Sequence, residues 1–353
     1  MLPAFCERLG LTIPLIQAPM AGITTPELAA AVSNAGALGS LGLGAANASK
    51  AGEMMSQLRS ATEKPFNVNL FAHQPAQENR AKEADWITSL HPYFAEFDTQ
   101  PPEKLHEIYR TFDQDPEMLA LLLDMRPAVV SFHFGLPSND AVQALKANGS
   151  ILLASATSLE EAQAIEQAGL DAIIAQGIEA GGHRGIFDPD QPDERLGTFA
   201  LTRLLVQKST LPVIAAGGIM DGAGIVAALK LGAVAAQMGT AFIGCPESAA
   251  DEAYRHALTG PAAEHTRLTR VISGRPARCI ANRFTALEDE ISVASIPDYP
   301  IAYDAGKALH MAAKAEGDYS FAASWAGQGA PLSRIMPVAR LVETLCQELA
   351  QSL

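Results

Sequence analysis

Positive charge is scarce in this 353-residue chain: 25 Lys and Arg stand against 39 Asp and Glu, for a formal net charge of −14. No basic run of the kind that tracks phosphates occurs, so nucleic acid and an anionic membrane surface are excluded as partners. No stretch of about 18 uncharged apolar residues marks a membrane-spanning helix. The nearest, Ala223–Met238, is interrupted by Lys230 and dominated by alanine. The amino-terminal segment through Arg8 lacks the charged and apolar regions of a signal peptide. Cys6, Cys245, Cys279 and Cys346 are scattered, without metal-ligand or disulfide-framework spacing. No His/Asp/Glu spacing resembles a metal site either. The expectation is a cytoplasmic protein with reduced, mostly buried thiols and no metal. Aromatic residues make up only 6% of the chain.

What is abundant is small and apolar: hydrophobic residues reach 48% and charged ones only 18%. Eight strand-like runs can be counted: Leu15–Met20, Leu38–Leu43, Phe66–Phe71, Ala128–Phe134, Ile151–Thr157, Ala172–Gly177, Pro212–Gly217 and Ala235–Phe242. Most are continuously apolar, as strands buried on both faces are. Helical segments separate most of them. Thr25–Asn34 carries Pro26 in its first turn, Ser158–Ala168 opens with a Ser158-Leu159-Glu160-Glu161 capping box, and Gly222–Leu231 precedes the last run. Eight β/α units in this order predict an α/β fold, a (β/α)8 TIM barrel. Periodicity alone does not separate it from a doubly wound sheet.

Two stretches exceed a minimal barrel. Gln74–Asp124, with Trp86 and Tyr93, reads as two or three helices inserted before strand four. Pro246–Ala323 follows strand eight and holds the Ser273-Gly274-Arg275-Pro276 turn and Tyr299-Pro300-Ile301-Ala302-Tyr303; it is expected to form a mostly helical substrate-capping insertion. Pro331–Leu353 reads as one amphipathic helix returning to the barrel. The expected units are a barrel of residues 1–245 plus 324–353, a cap of 246–323 and an insertion of 74–124.

Groups that bind and react in parallel α/β folds sit at the carboxyl ends of the strands. There, the run Asp171–Ala175 leads into Gln176-Gly177-Ile178-Glu179-Ala180-Gly181-Gly182-His183-Arg184-Gly185. Its glycines let backbone approach a ligand closely, and His183 is the first candidate for chemistry, against the plainer reading of a hydrogen-bonded loop residue. His133, in Ser131-Phe132-His133-Phe134-Gly135, faces the same cavity in this scheme. Gln17-Ala18-Pro19-Met20-Ala21-Gly22 would let a flat ligand lie on backbone, with Met20 against a ring. Asn69, Gln176 and Gln237 are amides in strands, each needing a partner, and together they point to a polar planar ligand. Ala216-Gly217-Gly218-Ile219 and Gln237-Met238-Gly239-Thr240-Ala241 follow strand seven and lie in strand eight. They read as a phosphate cup built from backbone N–H groups and the Thr240 hydroxyl, or as plain tight turns. The remaining histidines (His73, His91, His106, His256, His265 and His310) have no such context and read as structural or solvated.

These segments together resemble the nitronate monooxygenases, formerly called 2-nitropropane dioxygenases, from about residue 5 to the carboxyl-terminal helix. The Ser-Phe-His-Phe-Gly element and the Tyr299/Tyr303/Lys307 cluster resemble class I, the bacterial and fungal branch. The resemblance implies one non-covalent FMN on a (β/α)8 barrel with a helical substrate domain. Asn69, Gln176, Gly181, Gly218, Gln237, Met238, Gly239 and Thr240 would contact FMN, and Met20 would pack near it. His183 matches the family's catalytic histidine, and His133, Tyr299, Tyr303 and Lys307 match positions lining the substrate site. The implied reaction oxidises an alkyl nitronate, propionate 3-nitronate first among them, with O2 to a carbonyl compound and nitrite. His183 would act either as an imidazolium anchor for the anion, a role Lys307 could also fill, or as a neutral base toward a nitroalkane. An FMN-dependent NAD(P)H reductase, of the enoyl-acyl-carrier-protein or quinone type, is the alternative on the same scaffold; a flavin-free sugar-phosphate or nucleotide barrel is a more distant one. A monomer or homodimer is expected.

Overall fold

The computed structural model describes residues 2–352. Its centre is a ring of eight parallel strands: β1 (Leu15–Gln17), β2 (Gly39–Gly42), β3 (Phe66–Phe71), β4 (Val129–His133), β5 (Ile151–Ala156), β6 (Ala172–Gln176), β7 (Val213–Ala216) and β8 (Ala235–Met238). From β2 to β8 each strand pairs with the next, and β8 pairs with β1, Ile16 standing opposite Gln237. The β1–β2 seam has one bridge, Ile16 to Leu38. Past that bridge the Gln17 side chain continues the seam, its Oε1 accepting from the Ser40 N–H at 2.9 Å. The ring closes, which makes this a (β/α)8 barrel and removes the doubly wound alternative, whose sheet has two open edges.

Side chains alternate between the barrel interior and the helix layer. Ile16, Leu38, Val129, Ile151, Leu153, Ile174 and Ile214 meet inside, and Phe5, Cys6, Leu9 and Leu11 from the amino-terminal segment join them. Val68, Leu70, Val130, Phe132, Leu152 and Ile173 point outward and pack under the helices. Burying each large aliphatic side chain contributes about 1.5–3 kcal/mol. This alternation sets the site, because every second residue at a strand end must then face inward.

Local signals placed several helices correctly. Pro26–Asn34 begins with Pro26 at its first position, and the Thr25 side chain accepts from the Leu28 N–H. At Leu159–Gln167 only half of the expected capping box forms. Ser158 accepts from the Glu161 N–H, but Glu161 accepts from the Thr157 hydroxyl at 2.7 Å and the Phe187 N–H at 2.7 Å. The carboxylate ties the glycine-rich loop to this helix instead of closing on Ser158. The run Ala235–Phe242 is not one strand: β8 ends at Met238, and Thr240–Ile243 is a short helix. An apolar run has no periodicity of its own to mark that change.

Beyond the barrel, helix Arg80–Ala95 contributes Trp86, Leu90 and Phe94 to a core shared with Ile272, Phe284, Ile301, Leu309 and Phe321. Helix Pro116–Met125, by contrast, packs Met118 and Leu122 into the barrel's helix layer. Only the earlier part of 74–124 thus sits with the cap. The cap segment is less helical than expected: Thr266–Thr269 and Ala277–Ile280 form antiparallel strands, and Ala277–Ile280 pairs with Gly182–His183 of the glycine-rich loop. The last helix, Val338–Ser352, packs Leu341, Val342 and Leu345 on the barrel's helix layer; residue 353 of the expected helix lies outside the described residues, as does residue 1. Among the described residues the four cysteines are free, and no helix is long and apolar enough to cross a membrane.

Candidate active site

The carboxyl ends of the strands enclose a cavity of about 690 Å³, within the size range of cofactor and substrate sites. In a chain with 39 acidic residues, no Asp or Glu side chain among the described residues lines it, while Lys307 does, as does Lys50, which is paired with Glu53 at 3.1 Å. A cavity built this way favours anions on Coulombic grounds alone.

Its floor consists of the inward residues that alternation dictates: Asn69 from β3, His133 from β4, Ser155 from β5, Gln176 from β6 and Gln237 from β8. Asn69 Nδ2 donates to the Ser131 hydroxyl at 3.0 Å, which fixes the amide in place. The Gln176 amide uses one group on each atom: Nε2 donates to the His183 carbonyl at 3.0 Å, and Oε1 accepts from the Gly185 N–H at 2.7 Å, which leaves a second N–H and a second lone pair. It braces the glycine-rich loop while lining the cavity. Gln237 Oε1, in contrast, is buried without a hydrogen-bond partner, a cost unless a bound group donates to it. Gln237, Asn69 and Gln176 all line the cavity and keep the ligand-facing reading.

The expected phosphate cup is present as backbone geometry. Gly217 (φ +122) and Gly218 (φ +70) both occupy the left-handed region, where a side chain is strained. A Cβ at Gly181 would strike the Gly327 N and Ala326 C atoms of the facing loop. Thr240 opens a helix, so its N–H is one of those a helix leaves free. Its hydroxyl accepts from the Gly327 N–H at 3.0 Å and retains its proton to donate. Met238 departs from expectation: its side chain is buried between β8 and the helices and does not reach the cavity, because it alternates with the inward Gln237 and Gly239. Met20 and Gly239 do line the cavity, and a Cβ at Gly239 would lie 3.6 Å from Met20 Sδ.

Above the floor stand the histidines. His133 has both ring nitrogens engaged, Nδ1 with the Ser155 hydroxyl at 2.9 Å and Nε2 with the His183 carbonyl at 3.1 Å. The carbonyl only accepts, so Nε2 donates and Nδ1 accepts. His133 therefore holds the His183 backbone and has no free polar atom for a substrate. His183 contacts the Ser273 hydroxyl through Nε2 at 2.8 Å, lies within 5.0 Å, centroid to centroid, of the Trp325 ring, and lines the cavity. Burial pushes His183 down to about 3 and His133 to about 4, and the guanidinium of Arg275 adds to both shifts. His73, buried against Tyr299, is likewise pushed down to about 4. Burial and the Arg275 charge both disfavour an imidazolium at His183.

These shifts have a consequence for stability. All three histidines stay neutral in the fold while the unfolded chain protonates near pH 6.5, so stability is full above that pH and is lost as pH falls toward 3–4. Between pH 7 and pH 5 the expected loss is on the order of 5 kcal/mol. A urea midpoint that does not move between these two pH values would contradict it.

Tyr299, Tyr303 and Lys307 reach the cavity from the cap, with Lys307 Nζ 5.4 Å from the Tyr303 ring centroid and 5.1 Å from that of Tyr109. Lys307 forms no ion pair among the described residues, leaving its charge for a ligand. Four neighbours escaped sequence reading: Tyr109, Trp325, Ser273 and Arg275. Arg275 is buried, donates to the Ile186 and Phe187 carbonyls, and lies 4.4 Å over the Phe134 ring. Phe134 itself sits at φ +76, an uncommon conformation for a bulky residue. The Ser273–Pro276 turn was visible as a turn, but nothing local tied it to His183.

A barrel whose strand ends surround an anion-favouring cavity with glycine loops and a neutral histidine defines a small-molecule enzyme of the TIM-barrel class. The family model described as nitronate monooxygenase matches residues 4–348. The chain belongs to the nitronate monooxygenase family, whose members are flavin-dependent oxidoreductases. It is 59% identical to a nitronate monooxygenase of Paraburkholderia phytofirmans over 99% of this chain and 96% of that one. It is 55% identical to a nitronate monooxygenase of Pseudomonas aeruginosa over 98% of both. Among solved structures, the nitroalkane oxidase of Streptomyces ansochromogenes superposes with a TM-score of 0.91 at 40% identity, over 99% of both chains. FabK of Thermotoga maritima superposes at 0.75 with 29% identity, over 98% of this chain and 95% of that one.

Proposed function

We propose that the chain binds one FMN in this cavity and oxidises alkyl nitronates, propionate 3-nitronate among them, with O2 to a carbonyl compound and nitrite. The observation that carries this reading is the carboxylate-free cavity of an acidic chain, which suits an anionic cofactor and an anionic substrate together. The FMN phosphate would meet the N–H groups of Gly218 and Thr240 and the Thr240 hydroxyl. Gln237 and Asn69 would meet the heterocycle, with Met20 nearby and Gly181 letting backbone approach. Bound flavin supplies the redox chemistry.

The rest falls to the protein. Lys307 holds the nitronate anion at the cavity mouth, with the Tyr299 and Tyr303 rings enclosing it. His183, neutral, takes the proton from a nitroalkane that arrives protonated. His133 acts indirectly, through the His183 backbone. In domain terms we assign residues 1–245 with 324–353 to the flavin-binding barrel and 246–323 to the substrate cap, with the 74–124 segment divided between cap and barrel. The same reading has the enzyme work in the cytoplasm as a monomer or homodimer, on small molecules alone. The NAD(P)H reductase alternative draws support only from more distant relatives, and the cavity offers no second basic cluster for a nicotinamide dinucleotide.

The test is stoichiometric. FMN-loaded protein given propionate 3-nitronate in air should consume O2 and release nitrite in proportion to the nitronate lost. Nitronate that survives the incubation would refute the assignment.

A further inference from the structure

The network around His183 contains a feature that the proposed chemistry has not used. The Ser273 hydroxyl is buried and touches three groups: His183 Nε2 at 2.8 Å, the Arg275 carbonyl at 3.2 Å and the Arg275 N–H at 3.4 Å. A hydroxyl has one proton to give and two lone pairs to receive with. The Arg275 carbonyl is an acceptor only, and the Arg275 N–H a donor only. If Ser273 gave its proton to His183, the buried Arg275 carbonyl would lose this donor and face an oxygen lone pair. If His183 donates through Nε2–H, all three contacts are satisfied at once. Leaving a buried carbonyl unpaired is costly enough to bias a tautomer strongly.

We propose that Ser273 is a positioning residue that holds His183 as the Nε2–H tautomer, with a bare Nδ1 available to the cavity. Nδ1 makes no hydrogen bond among the described residues, while the ring lines the cavity. The groups facing the ring from each packed element are Phe134 after β4, Tyr299 and Tyr303 from the cap, and Trp325. His133, Arg275 and His73 act on it from farther away. None is a carboxylate, so nothing nearby favours an imidazolium in the resting site.

The functional consequence rests on the proposed nitronate chemistry. With a neutral nitroalkane, the Cα–H bond breaks, its electron pair forms the C=N bond of the nitronate, and the proton passes to Nδ1. The nitronate left beside the ring stabilises the imidazolium so formed. The Ser273 hydroxyl accepts from Nε2–H throughout, so the base keeps its orientation during the transfer. Holding a histidine in the correct tautomer is a recognised way for one side chain to act through another.

Two measurements test this, one of them independent of turnover. Protein labelled with 15N-histidine, with His183 assigned by the loss of its signals in His183→Asn, should show at pH 7 one protonated nitrogen at Nε2 and one unprotonated nitrogen at Nδ1. An Nδ1–H tautomer or an imidazolium would overturn the proposal. In Ser273→Ala the same spectrum should show a mixture of tautomers. Its kcat/KM for nitroethane should fall about 10- to 100-fold further than its kcat/KM for ethyl nitronate. Equal losses on both substrates would reduce Ser273 to a structural residue and overturn its positioning role. Wild-type protein that oxidises neither substrate would refute the nitronate chemistry instead, and the spectrum would still decide the tautomer.

Discussion

Replacing His183 by asparagine is expected to lower kcat/KM for a neutral nitroalkane about 10³-fold while lowering it for the corresponding nitronate about tenfold at most. The asymmetry follows from what the site holds. Burial, His133 and the Arg275 guanidinium all oppose protonation of His183 and so favour the neutral ring. A neutral imidazole can take a proton but offers little Coulombic attraction to an anion. The cation available for that task is Lys307, 5.4 Å from the Tyr303 ring centroid and without an ion-pair partner among the described residues. A nitronate arrives already deprotonated and needs the anchor but not the base. Steady-state kinetics on nitroethane and ethyl nitronate, with equal flavin content in both proteins, checks the ratio. Equal losses would return His183 to the role of an anion anchor.

Gly217→Ala should strip the protein of flavin. Gly217 lies at φ +122, and a Cβ there would sit 2.6 Å from Thr198 Oγ1 and 3.2 Å from the Ala180 N atom. Thr198 cannot move freely, because its hydroxyl contacts Glu179 Oε2 at 2.9 Å and its N–H donates to the same carboxylate. The clash therefore reaches the start of helix Thr198–Lys208 and the loop carrying Gly181 and His183 together. Left-handed strain alone costs about 1–3 kcal/mol, and displaced cup amides should weaken flavin binding about 100-fold. The control is Gly149→Ala, at φ +92 with open space around it and no part in the cavity. It carries strain without a clash and should keep its flavin. Absorbance of the two purified variants gives the comparison; flavin retained by Gly217→Ala would remove the cup from these loops.

The barrel and half of its site were legible because they follow from short-range rules. Apolar runs, most of them continuous, marked the strands, and β3, which carries Asn67 and Asn69 between its apolar residues, matched its run residue for residue. Alternation then placed Asn69, Gln176 and Gln237 inward, and it explains why Met238 had to turn away. The glycines of the cup could be read because only glycine accepts their backbone angles. What could not be read came from pairings distant along the chain. His183 meets Ser273 across 90 residues through a strand pairing in the cap that no periodicity announces. Tyr109 and Trp325 reach the cavity from segments with no motif of their own. The ring of His133 looked like a ligand-binding group in sequence, yet the fold engages both its nitrogens internally. A residue type announces its hydrogen-bonding capacity but not its partner.

Flavin-loaded protein mixed without oxygen, first with propionate 3-nitronate and in parallel with NADH, separates the nitronate oxidase from its nearest rival. The visible absorbance of the flavin should change rapidly with the nitronate and stay constant with NADH. Bleaching by NADH with no response to the nitronate would make this barrel a reductase, and the roles given to His183 and Lys307 would fall with the assignment.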